Sequence, residues 1–231
     1  MEEKKMRELI TSPLFSIMLC IGAFEMGGWI HRKTKIDAMN PLLIAIALVI
    51  VMLKMLDIPL EIFNEGGDMI NLLLGPATVV LAVPMYEQVE ILKKNIIPII
   101  VATGVGALTS IGSVLLLCRA FGLDEALLAS LLPKSVTTPI AVEVSVQHGG
   151  IASITIAAVV ITGILGAVIA PGLIKIFKLE GCSVASGLAI GASSHAMGTS
   201  KAVQIGEIEG AMSGLAIGIM GIFTVLFSLF L

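Results

Sequence analysis

Two polar stretches interrupt an otherwise strongly apolar chain, and both carry side chains that could bind an anion. The first, residues 133–139, holds a lysine and three hydroxyl side chains between two prolines. The second, residues 191–201, holds serines, a histidine and a threonine around two glycines. Because lipid cannot satisfy an irregular backbone, such segments survive at membrane depth only where protein buries them or where they line a wet cavity. They are therefore the first candidates for a binding site.

Lys134 is the most informative residue of the first stretch, because it lies about ten residues into an apolar segment that begins near residue 125. A lysine at the centre of a membrane helix costs about 2.5–3.5 kcal/mol, so it must pair, reach the headgroups or face water. Pro133 and Pro139 each remove a backbone donor and disfavour helical geometry in the preceding residue, which predicts an interrupted helix. The hydroxyls expected to line a carboxylate pocket with Lys134 are those of Ser135, Thr137 and Thr138. The alternative is a structural ion pair between Lys134 and Glu143.

The second stretch is predicted to supply the other half of the site. Gly191 and Gly198 permit close backbone approach or positive φ, and both are predicted helix breaks. A helix that restarts within this stretch would direct its first N–H groups and its dipole at an anion. The side chains assigned to substrate binding here are Ser193, Ser194, His195 and Thr199.

Two residues are candidates for ion coupling. His195 could titrate near neutral pH and link proton movement to transport. The alternative is a neutral ring that bonds a neighbouring carbonyl. Glu143 is the second candidate, and a solvated side chain at a helix end is an equally good interpretation of it.

The chain also repeats itself. Eight apolar segments fall into two sets of four, with approximate bounds 14–30, 40–56, 67–86, 95–118, 125–147, 151–177, 184–201 and 209–231. The third segments of the two sets align at an offset of about 116 residues, with Leu-Gly-Pro-Ala-Thr at 74–78 over Ile-Gly-Ala-Ser-Ser at 190–194. Duplication with an interrupted segment at matching places is typical of secondary transporters. The alternative is a duplicated bundle whose glycines only permit close packing.

This duplication predicts one integral membrane domain over 1–231, built from two inverted repeats at about 12–121 and 122–231. The third segment of the first repeat, 67–86, would lie opposite the second polar stretch, 191–201. It would contribute backbone dipoles to the site. The residues assigned to the site there are Asn71, Gly75 and Thr78, with Pro76 as a helix break. Segments 67–86 and 184–201 are compatible with either a full crossing of the bilayer or a re-entrant course.

The composition places the chain among membrane proteins. It has 231 residues, of which 57% are apolar and 13% charged, whereas soluble domains carry about 25% charged residues. We therefore expect an all-α, multi-pass protein of the cell (inner or plasma) membrane, with broken or re-entrant helices. The glycines of the last segment, spaced by four from Gly210 to Gly218, favour close helix packing. They serve the monomer by default, and a homodimer seam is the further expectation.

Several functions are not expected from this sequence. The three cysteines and three histidines are scattered, which argues against a metal site or a disulfide framework. No glycine-rich nucleotide loop occurs, so no cofactor is expected, and no basic patch suggests nucleic acid. Ser, His and Lys occur together, as in some hydrolases, but no nucleophile elbow accompanies them. We therefore expect a protein that is not an enzyme.

The polar stretches resemble motifs of the LrgB/CidB family. The resemblance is carried by residues 132–141, which read Leu-Pro-Lys-Ser-Val-Thr-Thr-Pro-Ile-Ala, and by residues 191–199, which read Gly-Ala-Ser-Ser-His-Ala-Met-Gly-Thr. Residues 74–78 and 82–86 are similar to the family's third-segment motif. The likeness covers nearly the whole chain, and no motif position departs from it.

The resemblance implies two functions. Bacterial members are antiholin- or holin-like proteins that modulate murein hydrolase activity and cell lysis, with a small LrgA/CidA-type membrane partner. A plastid relative is a glycolate/glycerate transporter, and bacterial pairs have been linked to pyruvate uptake. Together with the lysine pocket, this favours a secondary transporter of small monocarboxylates of the glycolate, glycerate or pyruvate type, with H+ or Na+ as candidate coupling ions. The antiholin-like role is the alternative.

Overall fold

The computed structural model describes residues 10–34, 41–73, 76, 79–80, 82–87 and 89–230. Helices account for nearly all of these residues, as the composition predicts. In chain order they are α1 (Pro13–Thr34), α2 (Pro41–Met55), α3 (Leu60–Asn71), α4 (Ala82–Glu87), α5 (Val89–Lys94), α6 (Ile96–Ala120), α7 (Glu125–Leu131), α8 (Thr138–Gln147), α9 (Ala152–Ile176), α10 (Ser183–Ile205) and α11 (Glu207–Ser228).

Four of these helices, α1, α6, α9 and α11, are long and apolar enough to cross a bilayer. Each has 22 or 25 residues, which exceeds the roughly 20 that a crossing needs. Many large apolar side chains on them are exposed on the outer surface, among them Leu108, Leu116 and Ile161. Such a surface suits a lipid solvent, and the protein is a multi-pass membrane protein.

The chain forms two compact units, Met1–Val80 and Leu81–Leu231. In the first unit, α1 packs against both α2 and α3. Gly27 of α1 lies against the backbone of Pro41, and Gly66 of α3 lies against the backbone of Pro13. Any larger residue at either glycine would separate the helices.

Helix α3 occupies residues that the segment pattern leaves largely between the second and third apolar segments. Its covered positions are 62, 63, 66, 67 and 70, whereas Glu61, Glu65 and Asp68 are exposed. This spacing is that of an amphipathic helix, which a search for continuous apolar runs overlooks.

The predicted third segment, 67–86, is consequently not one helix. Helix α3 ends at Asn71, and α4 begins at Ala82. Asn71 is exposed at the end of α3, and Pro76 is helical. Gly75 and Thr78 lie outside the described residues.

The second unit is arranged around α10, which packs against α11, α9 and α6. Glycines permit these close contacts. Gly187 and Gly191 of α10 lie against the backbone of α11 at Glu209 and Ser213. The principal core of this contact is formed by Ile99, Leu188, Ala211, Met212 and Ala216.

Candidate functional site

The chain is not helical between Leu131, where α7 ends, and Thr138, where α8 begins. Pro139 stands in the first turn of α8, a position at which its missing N–H costs nothing. Within the turn, Lys134 N donates to Leu131 O at 3.2 Å. The two prolines flank this irregular segment, which presents Lys134 near its middle.

Neighbouring side chains anchor this turn in the core of the second unit. Pro133 is fully buried, and Val136 is only 1% exposed. Val136 packs in a cluster with Ala107 of α6, Val159 of α9 and Met220 of α11. Val136 therefore anchors the turn between three long helices, although the backbone there is irregular, and the neighbouring Lys134 is half-buried.

The Lys134 ammonium lies within a chain of hydroxyl groups. Its Nζ donates to Ser135 Oγ at 3.2 Å, and Ser110 Oγ of α6 donates to the same Ser135 Oγ at 2.9 Å. Among the described residues, no carboxylate lies within ion-pair distance of Nζ. The alternative, an ion pair between Lys134 and Glu143, is not formed: Glu143 is exposed on α8 and accepts from Gln147 Nε2 at 2.8 Å.

A cavity of about 1520 Å³ opens beside this ammonium and is bounded by α6, α9 and α10. Its hydroxyl-bearing lining near the lysine comprises Thr109, Ser110, Ser113, Ser135, Thr162, Ser193 and Ser194. All of the lining belongs to the second unit. The cavity thus joins parts of both polar stretches around one cation.

The hydroxyls of α6 and α9 were missed by the sequence analysis. An isolated serine or threonine in an apolar helix usually bonds its own backbone, as Thr109 does to Val105 O at 2.8 Å. A usable signal was the spacing of Thr109, Ser110 and Ser113, since residues three and four apart share a helix face.

Helix α10 is interrupted at His195, where φ is 42° and ψ is −140°. The predicted breaks, Gly191 and Gly198, keep helical geometry on either side of it. They serve close packing instead, since a Cβ on Gly191 would meet the backbone of Ser213 and one on Gly198 would lie 2.6 Å from Ser194 Cβ. The location of the break was therefore predicted wrongly by a few residues.

Tertiary contacts hold this unusual backbone in place. A non-glycine residue in such a conformation costs about 1–3 kcal/mol, and strain of this kind clusters at functional sites. His195 is 4% exposed, and its ring Nε2 lies 3.0 Å from Val159 O of α9. Because a carbonyl can only accept, Nε2 is the protonated nitrogen that donates to Val159 O.

The far side of the break is tied to α11. Thr199 Oγ1 donates to His195 O at 3.0 Å and lies 2.7 Å from Ser213 Oγ. Gly163 of α9 lies directly against the His195 ring. The interruption of α10 is thus fixed between α9 and α11, which would keep the geometry of a site there constant.

The predicted site residues divide into three groups. Those that line the cavity are Lys134, Ser135, Ser193 and Ser194. Those that lie in the second unit outside its lining are Thr137, Thr138, Glu143, His195 and Thr199. Asn71 and Pro76 belong to the first unit.

Comparison with known proteins gives a consistent result. The LrgB-like family model matches residues 20–231. The antiholin-like protein LrgB of Bacillus subtilis (strain 168) is 36% identical over 220 residues, which cover 95% of each chain. The proteins of the same name from Bacillus mycoides (strain KBAB4) and Bacillus cereus (strain B4264) are 36% identical over 215 residues, which cover 93% of each chain. No solved structure matches the chain. The chain belongs to the LrgB-like family.

Proposed function

We propose that this protein is an antiholin-like membrane protein that modulates murein hydrolase activity and cell lysis. The observation that carries this role is the match to antiholin-like LrgB proteins, which extends over 95% of both chains for the Bacillus subtilis relative. Because the match covers 95% of that relative, no large part of it lacks a counterpart here. A small LrgA/CidA-type membrane protein is the partner that this role would use.

The test is complementation. A bacterial strain that lacks its own LrgB-type gene should regain its normal murein hydrolase pattern on a zymogram and its normal autolysis rate when this protein is expressed. Co-expression of the small partner should be compared with expression of this protein alone. A correctly inserted protein that leaves both measurements at the deletion level would contradict the role.

At the molecular level, we infer that the protein binds a small monocarboxylate and carries it across the membrane. The supporting observation is the Lys134 ammonium, which lies beside a cavity with hydroxyl partners and without a carboxylate partner in the described part of the chain. An anion placed there would accept charge-assisted hydrogen bonds from the ammonium, which are about twice as strong as neutral ones. Ser135 Oγ accepts from both Lys134 Nζ and Ser110 Oγ, so its own hydroxyl proton is available to the anion and would orient it.

Two interrupted elements meet at this cavity and could move the anion. The turn between α7 and α8 presents Lys134, and α10 presents Ser193 and Ser194 just before its break at His195. Non-helical backbone beside a cavity is how membrane transporters form their substrate sites. In this mechanism His195 is a positioning residue, since its ring bonds α9 behind the site.

Reconstituted liposomes test the transport activity. The purified protein should exchange labelled glycolate, glycerate or pyruvate, and Lys134→Met should abolish that exchange. Lys94→Met is the matched control, because Lys94 is exposed and lies outside the cavity lining. Folded protein that moves none of these acids would refute the transporter, and size-dependent leakage of dyes would instead indicate a pore.

The two functions can be separated in one experiment. Lys134→Met should be introduced into the complementation strain. If the lysis phenotype follows from carboxylate transport, the variant will fail to complement. If the antiholin-like role is independent of this site, the variant will complement normally while transport is lost.

A further inference from the structure

The cavity beside Lys134 continues as a long groove. Its lining runs from Thr162 of α9 to Phe177, the residue after that helix, and on α6 from Pro98 to Ser113. At 1.5 Å per residue each of these spans is about 22 Å, which is most of the roughly 30 Å thickness of the bilayer hydrocarbon. A two- or three-carbon acid bound at Lys134 would occupy only one end of this groove.

The polar and apolar parts of the groove are separated. Lys134 and most of the lining hydroxyls lie at one end, and the wall beyond them is aliphatic. Representative lining residues are Ala102, Val105, Leu165, Ile169, Leu173 and Leu188. At the opposite mouth, Ser186 donates to Leu179 O at 3.2 Å, so its hydroxyl is occupied within the protein. The groove therefore matches a molecule with an anionic head and an apolar tail.

We propose that the groove also accepts monocarboxylates with an extended apolar chain and binds them more tightly than the small acids, an inference that rests on the carboxylate site proposed above. The carboxylate lies against Lys134 and Ser135, and the chain lies along α6, α9 and α10. The charge complementarity selects this occupant, because an uncharged apolar segment would leave the half-buried ammonium without a counter-ion. Hydroxylated acids of two or three carbons bind the same cation more weakly, since they leave the aliphatic wall uncovered.

The affinity should depend on the length of the apolar chain. Each methylene group that moves from water into an apolar site contributes about 0.8 kcal/mol, which is roughly a fourfold gain in affinity. Binding should therefore strengthen about fourfold per added carbon from acetate upward, until the chain fills the groove. A site that recognises only the carboxylate would give a flat series.

The experiment is a binding series on the full-length protein in lipid nanodiscs. Even-numbered acids from acetate to decanoate are titrated calorimetrically, with octanamide as a neutral probe of the same length as octanoate. Empty nanodiscs measure partitioning into the lipid, which is subtracted. Lys134→Met should weaken the acids by at least tenfold and leave octanamide unchanged, whereas Lys94→Met should change neither.

A second variant tests the groove without altering the cation. Ala102 lines the aliphatic wall, and Ala102→Phe should flatten the series because the phenyl ring fills the space that the chain needs. Circular dichroism and size-exclusion profiles establish that each variant is folded. If Ala102→Phe does not fold, Ala189→Phe on the facing α10 wall provides the same test.

The possible outcomes separate this inference from the function on which it rests. A rise with chain length that Lys134→Met removes supports both. Lys134-dependent binding that does not vary with chain length overturns the apolar-chain ligand and leaves the carboxylate site intact. Absence of any Lys134-dependent binding overturns both. Octanamide that binds as tightly as octanoate shows partitioning only and overturns the inference.

Discussion

The contact between α9 and α10 at Gly163 leads to the most stringent prediction. A Cβ built on Gly163 would lie 2.6 Å from Cε1 of His195 and 2.6 Å from Sδ of Met197. The imidazole cannot retreat easily, because it is buried and its Nε2 is bonded to Val159 O. Gly163→Ala must therefore separate α9 from α10 or turn the His195 ring out of its hydrogen bond.

The expected cost follows from these contacts. Overpacking by one methyl in a well-packed site costs about 1–3 kcal/mol, and the better helix propensity of alanine returns about 0.5–1 kcal/mol. The net destabilisation is therefore between about 0 and 2.5 kcal/mol, with a midpoint near 1 kcal/mol. For a protein of this size, about 2–4 °C of melting temperature corresponds to each kcal/mol, so the melting temperature should fall by several degrees.

Gly172→Ala is the matched control. It lies on the same helix, α9, and a Cβ there would meet nothing within 4 Å. Thermal unfolding of both variants in the same detergent should lower the melting temperature for Gly163→Ala and leave it unchanged or raised for Gly172→Ala. If Gly163→Ala melts at or above Gly172→Ala, the tight crossing of α9 over the break in α10 is refuted.

Three further predictions concern side-chain hydrogen bonds; thermal unfolding measures each of them, and hydrogen exchange adds a second measurement for the last. Asp124 Oδ1 accepts from Leu127 N at 2.7 Å and caps the N-terminus of α7. Asp124→Ala should destabilise the protein by about 1 kcal/mol because this cap is lost, whereas Asp124→Asn should keep the cap and the stability. Equal melting temperatures for the two variants would argue against the cap. The hydroxyls of Thr199 and Ser213 lie 2.7 Å apart. Thr199→Val and Ser213→Ala should therefore each destabilise the protein, and their double-mutant cycle should give a coupling energy of about 0.5–1.5 kcal/mol. Additive effects would show that the hydrogen bond is not made. The ring nitrogens of His148 lie 2.8 Å from Val144 O and 2.9 Å from Ser228 O. His148→Ala should therefore destabilise the protein by about 1–3 kcal/mol and increase hydrogen exchange at the end of α11. Unchanged exchange there would contradict a link between α8 and α11.

The interruption between α7 and α8 is the part of the site that local sequence predicts best. Two prolines within seven residues restrict the backbone whatever surrounds it. The structure has its irregular turn between Leu131 and Thr138, with Lys134 inside it. Such a prediction succeeds because the determining forces act between covalently adjacent residues.

The break in α10 shows where that reasoning fails. Two glycines favour an interruption at Gly191 or Gly198, but the non-helical residue is His195 between them. His195 keeps this backbone conformation because its ring bonds Val159 O of α9 and because Thr199 bonds Ser213 of α11. Those contacts join residues 14 and 36 positions apart, so no local pattern could indicate them.

The amino-acid sequence by itself determined that this protein is a multi-pass membrane protein and that a cation stands in an interrupted helix. Hydrophobicity and proline geometry are local properties, and they act in any tertiary arrangement. Only the tertiary structure decided that Ser110 of α6 shares a hydroxyl partner with Lys134 and that both lie beside one cavity. It also decided that Glu143 and His195 lie outside the lining. These outcomes depend on which faces of packed helices meet, and the packing of the whole unit sets those faces.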